Sequence, residues 1–465
     1  MSKNLFVGVD GKARKTKDFY IGINGKAHKI VKAYIGDENG KARLFWEKET
    51  NIAENSLEFV SDNSFTMNTT KLWNGTLSYN NGNGWTIWNG SQISSGNIGG
   101  RQRIYFRGSR NTYIMGSNGS ASNAWKITGS NVECNGNIEC LLDYQKVAAG
   151  EHPEMGTYCY REMFSNCSSL ITSPELPATA LTDSCYLSMF YNCSSLTTVP
   201  SVLPATILSN RCYGYMFYGC SSLTTAPELP ATTLIDSCYT YMFNGCSSLT
   251  TAPQLPATTL AKYCYQYMFR NCSSLTTAPA LPALTLAQNC YNGMFNGCSK
   301  LTTAPQLSAT TLAESCYDSM FFGCNITTAP ELPATILEKG CYKEMFALCS
   351  SLTKAPKLPA TTLAENCYYQ MFEGCFRLRK IPALPAHILP DYCYYGMFKE
   401  CDIHLYSSGD ETKNVIYLLP SEKNQWTNTK KETNSLTDMF TYDGLIQTPR
   451  FPAGYRLDNY YSIIS

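Results

Sequence analysis

The sequence has little charge and almost no histidine for its length. Of its 465 residues, 16% are charged and four are histidines, while 37 Lys and Arg balance 36 Asp and Glu to a net charge of +1. Soluble domains usually carry about 25% charged residues, and binding to nucleic acids or anionic membranes needs a strong basic field. The charge balance therefore argues against a chain-wide nucleic-acid or membrane-surface interface, whereas 44% hydrophobic residues are enough to form cores.

Long apolar segments are also missing from the sequence. No apolar run reaches the ~18 residues that a membrane-spanning helix needs. The opening MSKNLFVGVDGKARK lacks the apolar stretch of a secretory signal, and the closing RLDNYYSIIS lacks a hydrophobic anchor. We therefore expect no membrane insertion and no export by the general secretory route.

The sequence contains no recognisable catalytic motif. Its histidines, His28, His152, His387 and His404, lie in separate segments with no Ser or Cys nucleophile motif nearby. No P-loop, dinucleotide-binding or HExxH pattern occurs. We expect the protein not to be an enzyme and to need no cofactor.

Cysteine and tyrosine, by contrast, are plentiful, with 22 and 32 residues. Twenty of the cysteines form ten pairs of the form C-x7-C, from Cys159/Cys167 to Cys393/Cys401, and the first cysteines of successive pairs lie 25 to 27 residues apart. The unit at 220–245 reads CSSLTTAPELPATTLIDSCYTYMFNG, and the others differ from it at few positions. A fixed period of this length is the signature of a tandem repeat protein.

The spacing of the cysteines argues against a metal site. Zinc sites use C-x2-C or C-x4-C with a further pair or histidines nearby, and the repeats have neither. If the two cysteines of a pair lie on one helix, about 12 Å separates them, which is beyond disulfide reach. Disulfide bonds between equivalent cysteines of neighbouring repeats are geometrically possible. Buried, reduced thiols are the favoured interpretation.

Each repeat predicts one short helix and one strand. In CYxxMFxx the Cys, Tyr, Met and Phe fall on one face of a helix of about two turns. Gly or Asn precedes the second Cys in eight of the ten units, as at a left-handed helix end, and Asp183, Ser237 and Asp391 occupy N-cap positions. The remaining SLTTAPELPATTL predicts a strand, a turn and a return.

Neither half of a repeat can bury its apolar side alone, so the units must stack. We predict an α/β solenoid, leucine-rich-repeat-like, with a parallel sheet, short helices and about ten 26-residue repeats, preceded by all-β N-terminal modules. The recurring phrase MFxGCSSL resembles the BspA-type leucine-rich repeats of bacterial surface proteins over residues 159–401. That resemblance implies a repeat fold and an extended binding surface. The recurring LPAT lacks the Gly of a sortase signal, so we interpret it as a turn.

Residues 6–47 contain a second, shorter repeat. Three apolar-aromatic segments are followed by Asp10-Gly11, Asn24-Gly25 or Asn39-Gly40 and then by basic segments, which predicts three β-hairpins. Residues 1–48 hold eleven Lys and Arg against five Asp and Glu, so these strands either meet an acidic partner or are ordinary solvated faces. The phrase YIGINGKAHK, with the later LFWE, resembles N-terminal modules of phage and prophage tail proteins, which implies attachment to other tail or baseplate proteins.

The segments that flank the repeats predict smaller elements. Residues 51–150 alternate short apolar runs with Gly and Asn turns, which predicts a β-sandwich-like domain, and 135–147 has the helical spacing of a solenoid cap. Trp85 and Trp88 form either a sugar-stacking platform or, as is commoner for aromatics, part of the core. After Cys401 the period stops, but Met439 in NSLTDMF repeats the helix phrase, which predicts a closing unit.

The chain therefore divides into a hairpin module at 1–50, a sandwich-like domain at 51–150, the repeats at 151–401, and a cap with an extension at 402–465. Substitutions among repeats concentrate at two outward helix positions and in a row after the strand proline. These substitutions indicate either a binding surface or neutral sequence drift at solvent-exposed positions that the fold does not constrain. The candidate binding residues are Tyr215, Tyr241, Tyr267, Tyr369 and Tyr395 on the helix side and Glu175, Glu228, Gln254, Gln306, Glu331 and Lys357 on the strand side.

Three functions fit this organisation. The leading one is a tail-fibre or receptor-binding protein of a phage or phage-like particle, located in the virion, whose repeats contact a protein or glycan receptor on the bacterial host. The analogy with tail fibres implies a homotrimer. The alternative is a BspA-type cell-surface adhesin, and the third is an accessory module of a carbohydrate-active enzyme, which would need paired carboxylates in a cleft.

Overall fold

The computed structural model describes residues 55–378, 382–386 and 388–401 in full, together with Ser435, Asp438 and Met439. Outside these ranges it describes only eight short strands, six within 6–47 and two within 456–464. The chain forms two compact units, Met1–Glu54 and Asn55–Ser465. His387, His404 and most of the predicted closing segment lie outside the described residues.

The first unit contains three antiparallel strand pairs at the positions of the three predicted hairpins. The pairs are β1 (Phe6–Val9) with β2 (Lys12–Lys15), β3 (Phe19–Ile23) with β4 (Lys26–Ile30), and β5 (Lys32–Gly36) with β6 (Ala42–Glu47). The predicted turn dipeptides themselves lie outside the described residues.

The second unit begins with two β-sheets. Its strands are β7 (Leu57–Ser61), β8 (Thr66–Asn68), β9 (Thr76–Asn80), β10 (Thr86–Ile87), β11 (Ile93–Ser94), β12 (Gly96–Ile98), β13 (Arg101–Ser109), β14 (Lys126–Thr128) and β15 (Val132–Asn135). β16 (Leu170–Thr172) follows in the first repeat, and β17 (Arg456–Leu457) pairs with β18 (Ile463–Ile464). The larger sheet has the order β10-β9-β13-β7-β15-β16, with β12 on β13, and the smaller has the order β11-β8-β14. Phe59, Phe106, Trp88 and Trp125 belong to one hydrophobic core with residues of both sheets.

The predicted cap helix is present and joins the sheet to the repeats. Helix α1 (Cys140–Ala148) lies against β13. β15 pairs in parallel with β16, and the N–H of Ile138 donates to the carbonyl of Glu175 at 3.1 Å. The larger sheet therefore continues into the first repeat. Among the described residues, no helix is long and apolar enough to cross a bilayer.

The helix predicted for CYxxMFxx does not form, and this prediction was wrong. We call the residues from the one before the first Cys to the second Cys the turn segment, which is 158–167 in the first repeat. The N–H of Met163 donates to the carbonyl of Tyr160 at 3.1 Å, three residues back, as in a tight turn. The N–H of Tyr160 instead donates to Cys185 of the next repeat at 2.8 Å. Alternate amides thus bond within a repeat and between repeats, and no residue of the described repeats is α-helical.

Left-handed residues explain why no helix forms. Tyr158, Glu162 and Asn166 have φ values of 56°, 55° and 62°, and the same three positions are left-handed in the later turn segments. A right-handed helix cannot pass through a left-handed residue every fourth position. The predicted left-handed conformation before the second Cys is confirmed, but it is a turn corner and not a helix end. The predicted N-cap of Asp183 also differs, because its carboxylate accepts the N–H of Asn210 in the next repeat at 3.2 Å.

The predicted parallel sheet is reduced to isolated bridges along the repeats. One series includes Thr225 with Thr251 and Thr251 with Thr277, and a second includes Thr233 with Thr259. Most repeats have two prolines here, which lack the N–H that a continuous ladder needs, so pairing stops after one residue. The pairing remains parallel, as stacking of like repeats requires.

The interior of the repeats consists of columns of identical side chains. The Cys, Tyr, Met and Phe of the turn segments are almost completely buried, as predicted. From Tyr160 to Tyr394 the rings stack at centroid distances of 5.6 to 5.8 Å. The Phe column from Phe164 to Phe398 has spacings of 5.5 to 5.8 Å. These apolar columns supply the burial that holds neighbouring repeats together.

The residues around Met439 continue the stack after a long insertion. The N–H of Tyr394 donates to the carbonyl of Ser435 at 3.0 Å, and the N–H of Phe398 donates to that of Met439 at 3.0 Å. Ser435 therefore takes the position of the first Cys of a repeat, and the buried Met439 takes that of the Met. This arrangement agrees with the predicted closing unit.

Candidate ligand-binding surface

The outward positions of the turn segments form one side of the repeats that is only partly exposed, which we call the turn face. Tyr215, Tyr241 and Tyr267 occupy the same left-handed position in three successive repeats, with φ values of 54°, 55° and 52°. Their ring centroids are 4.6 Å apart for the first pair and 4.8 Å for the second. The structure thus brings these three predicted residues together in one half-buried stack. A left-handed backbone and neighbouring rings fix each ring, so little entropy is lost when a ligand contacts them.

The other two predicted tyrosines form a separate pair. Tyr369 and Tyr395 stack at 4.9 Å, one position earlier in the repeat than the first stack. The Tyr395 hydroxyl donates to Asp438 of the closing unit at 3.2 Å. Tyr395 therefore has a structural partner, and its hydroxyl is less available for a ligand.

A groove on the turn face was not predicted from the sequence. It has a volume of about 630 Å³ and extends over the first five repeats, from Arg161 to Gln266. Tyr215 lines it, together with Tyr191 and Arg211. Tyr191 also stacks on Tyr218 at 4.7 Å, and these two share the position before the Gly or Asn of the turn segment. The recurrence of tyrosine at this position in two successive repeats is the sequence signal from which the groove could have been predicted.

The strand-side candidates are exposed, and in the described residues no hydrogen bond or ion pair joins their side chains to one another. Glu175, Glu228, Gln254, Gln306, Glu331 and Lys357 each have exposed side chains. The backbone of Glu175 bonds to Gly136 and Ile138, so its position belongs to the junction with the larger sheet. Lys357 lies at an apolar groove of about 850 Å³ lined by Pro356, Pro359 and Pro382. This row therefore offers exposed polar side chains, with an apolar groove beside Lys357.

The two candidate tryptophans do not form a joint platform. Trp88 is 2% exposed, its ring packs 5.1 Å from Trp125, and its indole N–H donates to the Ser91 carbonyl at 2.8 Å. It belongs to the core, so the platform interpretation is wrong for Trp88. Trp85 is partly exposed, and the Arg107 guanidinium lies 4.0 Å from its ring. One ring face of Trp85 is therefore already occupied.

The cysteines are free thiols packed in the interior. All 22 are unpaired, and all but the half-buried Cys401 are buried. Burial raises the pKa of Cys212 and Cys264 to about 12, so these thiols carry no charge near neutral pH. Among the described residues, no group of three or more His, Cys, Asp or Glu could hold a metal ion.

One histidine has a carboxylate partner that the sequence did not indicate. The Nδ1 atom of His152 lies 2.8 Å from Oε2 of Glu139. Glu139 is 2% exposed on its side chain, and burial is the main cause that raises its pKa. The neighbouring Cys140 thiol has its pKa raised to about 12 by burial, which makes it a poor nucleophile. The contact between Glu139 and His152 links the start of α1 to the loop before the first repeat.

Stacked turn segments, parallel bridges and few helices define the class of solenoid-like repeat proteins. The model of the BspA type leucine rich repeat region matches in six copies, over residues 145–224, 209–311 and 285–404. Because these matches cover more than half of the chain, the protein belongs to this family. No curated protein and no solved structure matches the chain. No comparison matches the hairpin module, whose likeness to phage tail proteins stays a proposal.

Proposed function

We propose that the protein is an adhesin-like attachment protein that holds a surface ligand on the turn face of its repeats. The observation that carries this proposal is the stack of Tyr215, Tyr241 and Tyr267 at one position of three successive repeats. Aromatic side chains held in place are effective contact residues, because they present a large area with few rotatable bonds. Membership of the BspA-type family supports the same role.

Attachment, not catalysis, is the activity we propose. The thiols that would be nucleophiles are buried with raised pKa values, and Glu139 and His152 contact one another. The expected result is that the purified chain hydrolyses none of the glycans it binds. Sustained release of reducing sugar would instead support an accessory role in a carbohydrate-active enzyme.

The test of attachment is binding of the purified full chain to intact bacterial and animal cells. Tyr215→Ala, Tyr241→Ala and Tyr267→Ala combined should reduce binding at least tenfold, since contact aromatics usually dominate an interface. The control replaces Thr225, Thr251 and Thr277 by Ala, because these exposed residues likewise share one position in three successive repeats. Equal binding by both variants and the unmodified chain would place the ligand elsewhere and reject the turn face.

A second candidate function is that of a phage tail fibre. It is supported by the three hairpins of the hairpin module, which form a compact unit of their own. In that case the module attaches to tail or baseplate proteins, the repeats contact the host, and the fibre is a homotrimer. Immunogold labelling with antibodies to the repeats distinguishes the two functions: label at distal tail ends indicates a fibre, and label on cell envelopes indicates an adhesin.

A further inference from the structure

The groove on the turn face has features that specify its ligand more closely. Its lining is mixed: rings from Tyr191 and Tyr215 lie beside the guanidinium of Arg211 and the amide of Gln266. The main aliphatic contribution is Leu187. This mixed lining differs from the apolar pockets with which proteins hold peptide side chains.

The first ring of the tyrosine stack has no stacked partner in the preceding repeat. Tyr215 stacks on Tyr241 at an interplanar angle of 8°, so its other face is directed toward the preceding repeat. There the equivalent residue is Ser188, which also lines the groove and is too small to cover a ring. At the opposite end of the stack, the ring of Tyr267 lies against the backbone of Gly293 and is covered. Tyr218 lies 6.0 Å from the Tyr215 ring at an angle of 34°, and Tyr215 is the ring of this stack that lines the groove.

The polar groups of the groove differ in whether they are already paired. The Arg161 guanidinium is 3.2 Å from Glu162, so these two charges offset each other. Within the described part of the chain, neither the exposed Arg211 guanidinium nor the Gln266 amide has a side-chain hydrogen bond. Both groups are planar and present several N–H donors, which suits neighbouring oxygen atoms on one ligand.

From this juxtaposition we propose that the groove binds an oligosaccharide, with the apolar face of one sugar ring on Tyr215 and sugar oxygens on Arg211 and Gln266. The inference rests on the proposed attachment function and names its ligand class. Sugars combine an apolar ring face with closely spaced oxygen atoms, and the groove offers the matching pair of surfaces. The length of the groove over five repeats indicates a chain of several sugars rather than a monosaccharide.

The experiment uses the whole 465-residue chain and defined sugars. Affinity electrophoresis and calorimetry are run with cellohexaose, chitohexaose, a hyaluronan hexasaccharide and sialyllactose, which cover neutral, N-acetylated and acidic sugars. We expect binding of at least one of them, with Tyr215→Ala and Arg211→Ala each weakening it roughly tenfold. Tyr215→Phe keeps the ring and should bind as well as the unmodified chain.

Tyr144→Ala is the matched control, because it removes a half-buried tyrosine of α1 that lies outside the groove. Its binding should stay within about twofold of the unmodified chain. Equal losses in Tyr215→Ala and Tyr144→Ala would overturn the assignment of the groove. Failure of every sugar, while untreated and periodate-oxidised cells are bound equally, would reject the oligosaccharide and leave the attachment function standing. Failure of both sugars and cells would reject both.

Discussion

The thiol of Cys193 donates a hydrogen bond of 3.0 Å to the carbonyl oxygen of Phe164, one repeat earlier. The same carbonyl accepts the N–H of Cys167 at 3.1 Å, so it takes part in one bond within its repeat and one between repeats. Equivalent thiol bonds recur along the array as far as Cys401 and Phe372. From the second repeat onward, the second cysteine is therefore both a small buried apolar group and a link to the repeat before it, whereas Cys167 of the first repeat donates to the carbonyl of Trp125.

Removing one of these links should loosen the array locally. Cys246 donates to Phe217 at 3.1 Å, and Cys246→Ala removes this bond and leaves a small cavity, at a cost of about 1 to 2 kcal/mol. Amide hydrogen exchange should report faster opening of the adjacent repeats, because stacked repeats can open separately. Ser299→Ala, which removes an exposed hydroxyl 3.5 Å from the Ser273 carbonyl, should change exchange little. Equal effects of the two substitutions would contradict a role for the buried thiol.

The buried thiols should make the fold sensitive to alkali. Burial raises the pKa of Cys212, Cys264 and Cys316 to about 12, whereas a thiol in an unfolded chain has a pKa of about 8.5. Because the folded pKa is the higher one, this stability is fully present below about pH 8.5 and is lost as the pH rises toward 12. In reducing buffer, the urea midpoint should be constant between about pH 7 and 8 and fall above about pH 9. A constant midpoint up to about pH 10.5 would show that these thiols ionise equally in both states.

The closing unit should protect the last complete repeat. Met439 is fully buried, and its carbonyl accepts the N–H of Phe398 at 3.0 Å. Met439→Asp places a carboxylate among apolar side chains, which should cost about 3 kcal/mol or more and expose the end of the Phe column. Hydrogen exchange should speed up around Tyr394 and Phe398 and stay unchanged near Phe190, far along the array. A uniform effect on both ends would mean that the whole unit unfolds together.

Much of the repeat architecture was predictable from the sequence. The period of the cysteine pairs identified stacked repeats, and the Cys, Tyr, Met and Phe of each unit are buried as expected. Helix α1 lies where the spacing of 135–147 indicated a helical cap, and Met439 continues the stack. The repeats and the apolar spacing on which these features depend are both visible in a single sequence, so no structure was needed to predict them.

The conformation of the turn segment was not predictable in the same way. Apolar residues at relative positions 0, 1, 4 and 5 fall on one face of a helix, but also on one side of a chain that turns every four residues. The choice between them depends on hydrogen bonds to the next repeat, such as that from Tyr160 to Cys185. Residues such as Tyr215 and Tyr241 give no local sign of a left-handed backbone, since that conformation is uncommon outside Gly and Asn. The groove likewise depends on contacts between repeats.

The left-handed position of Tyr267 also makes the next repeat dependent on glycine. At Gly293 a Cβ would overlap the ring of Tyr267, whereas at Gly323, which is also left-handed, a Cβ would meet no atom within 4 Å. Gly323→Ala should therefore cost only the backbone strain of a non-glycine residue, about 1 kcal/mol. Gly293→Ala should cost about 1 to 3 kcal/mol more, because the ring must move, and the double substitution with Tyr267→Ala should restore most of that difference. Urea denaturation of the three variants measures these costs, and equal losses for Gly293→Ala and Gly323→Ala would contradict close packing of Tyr267 on Gly293.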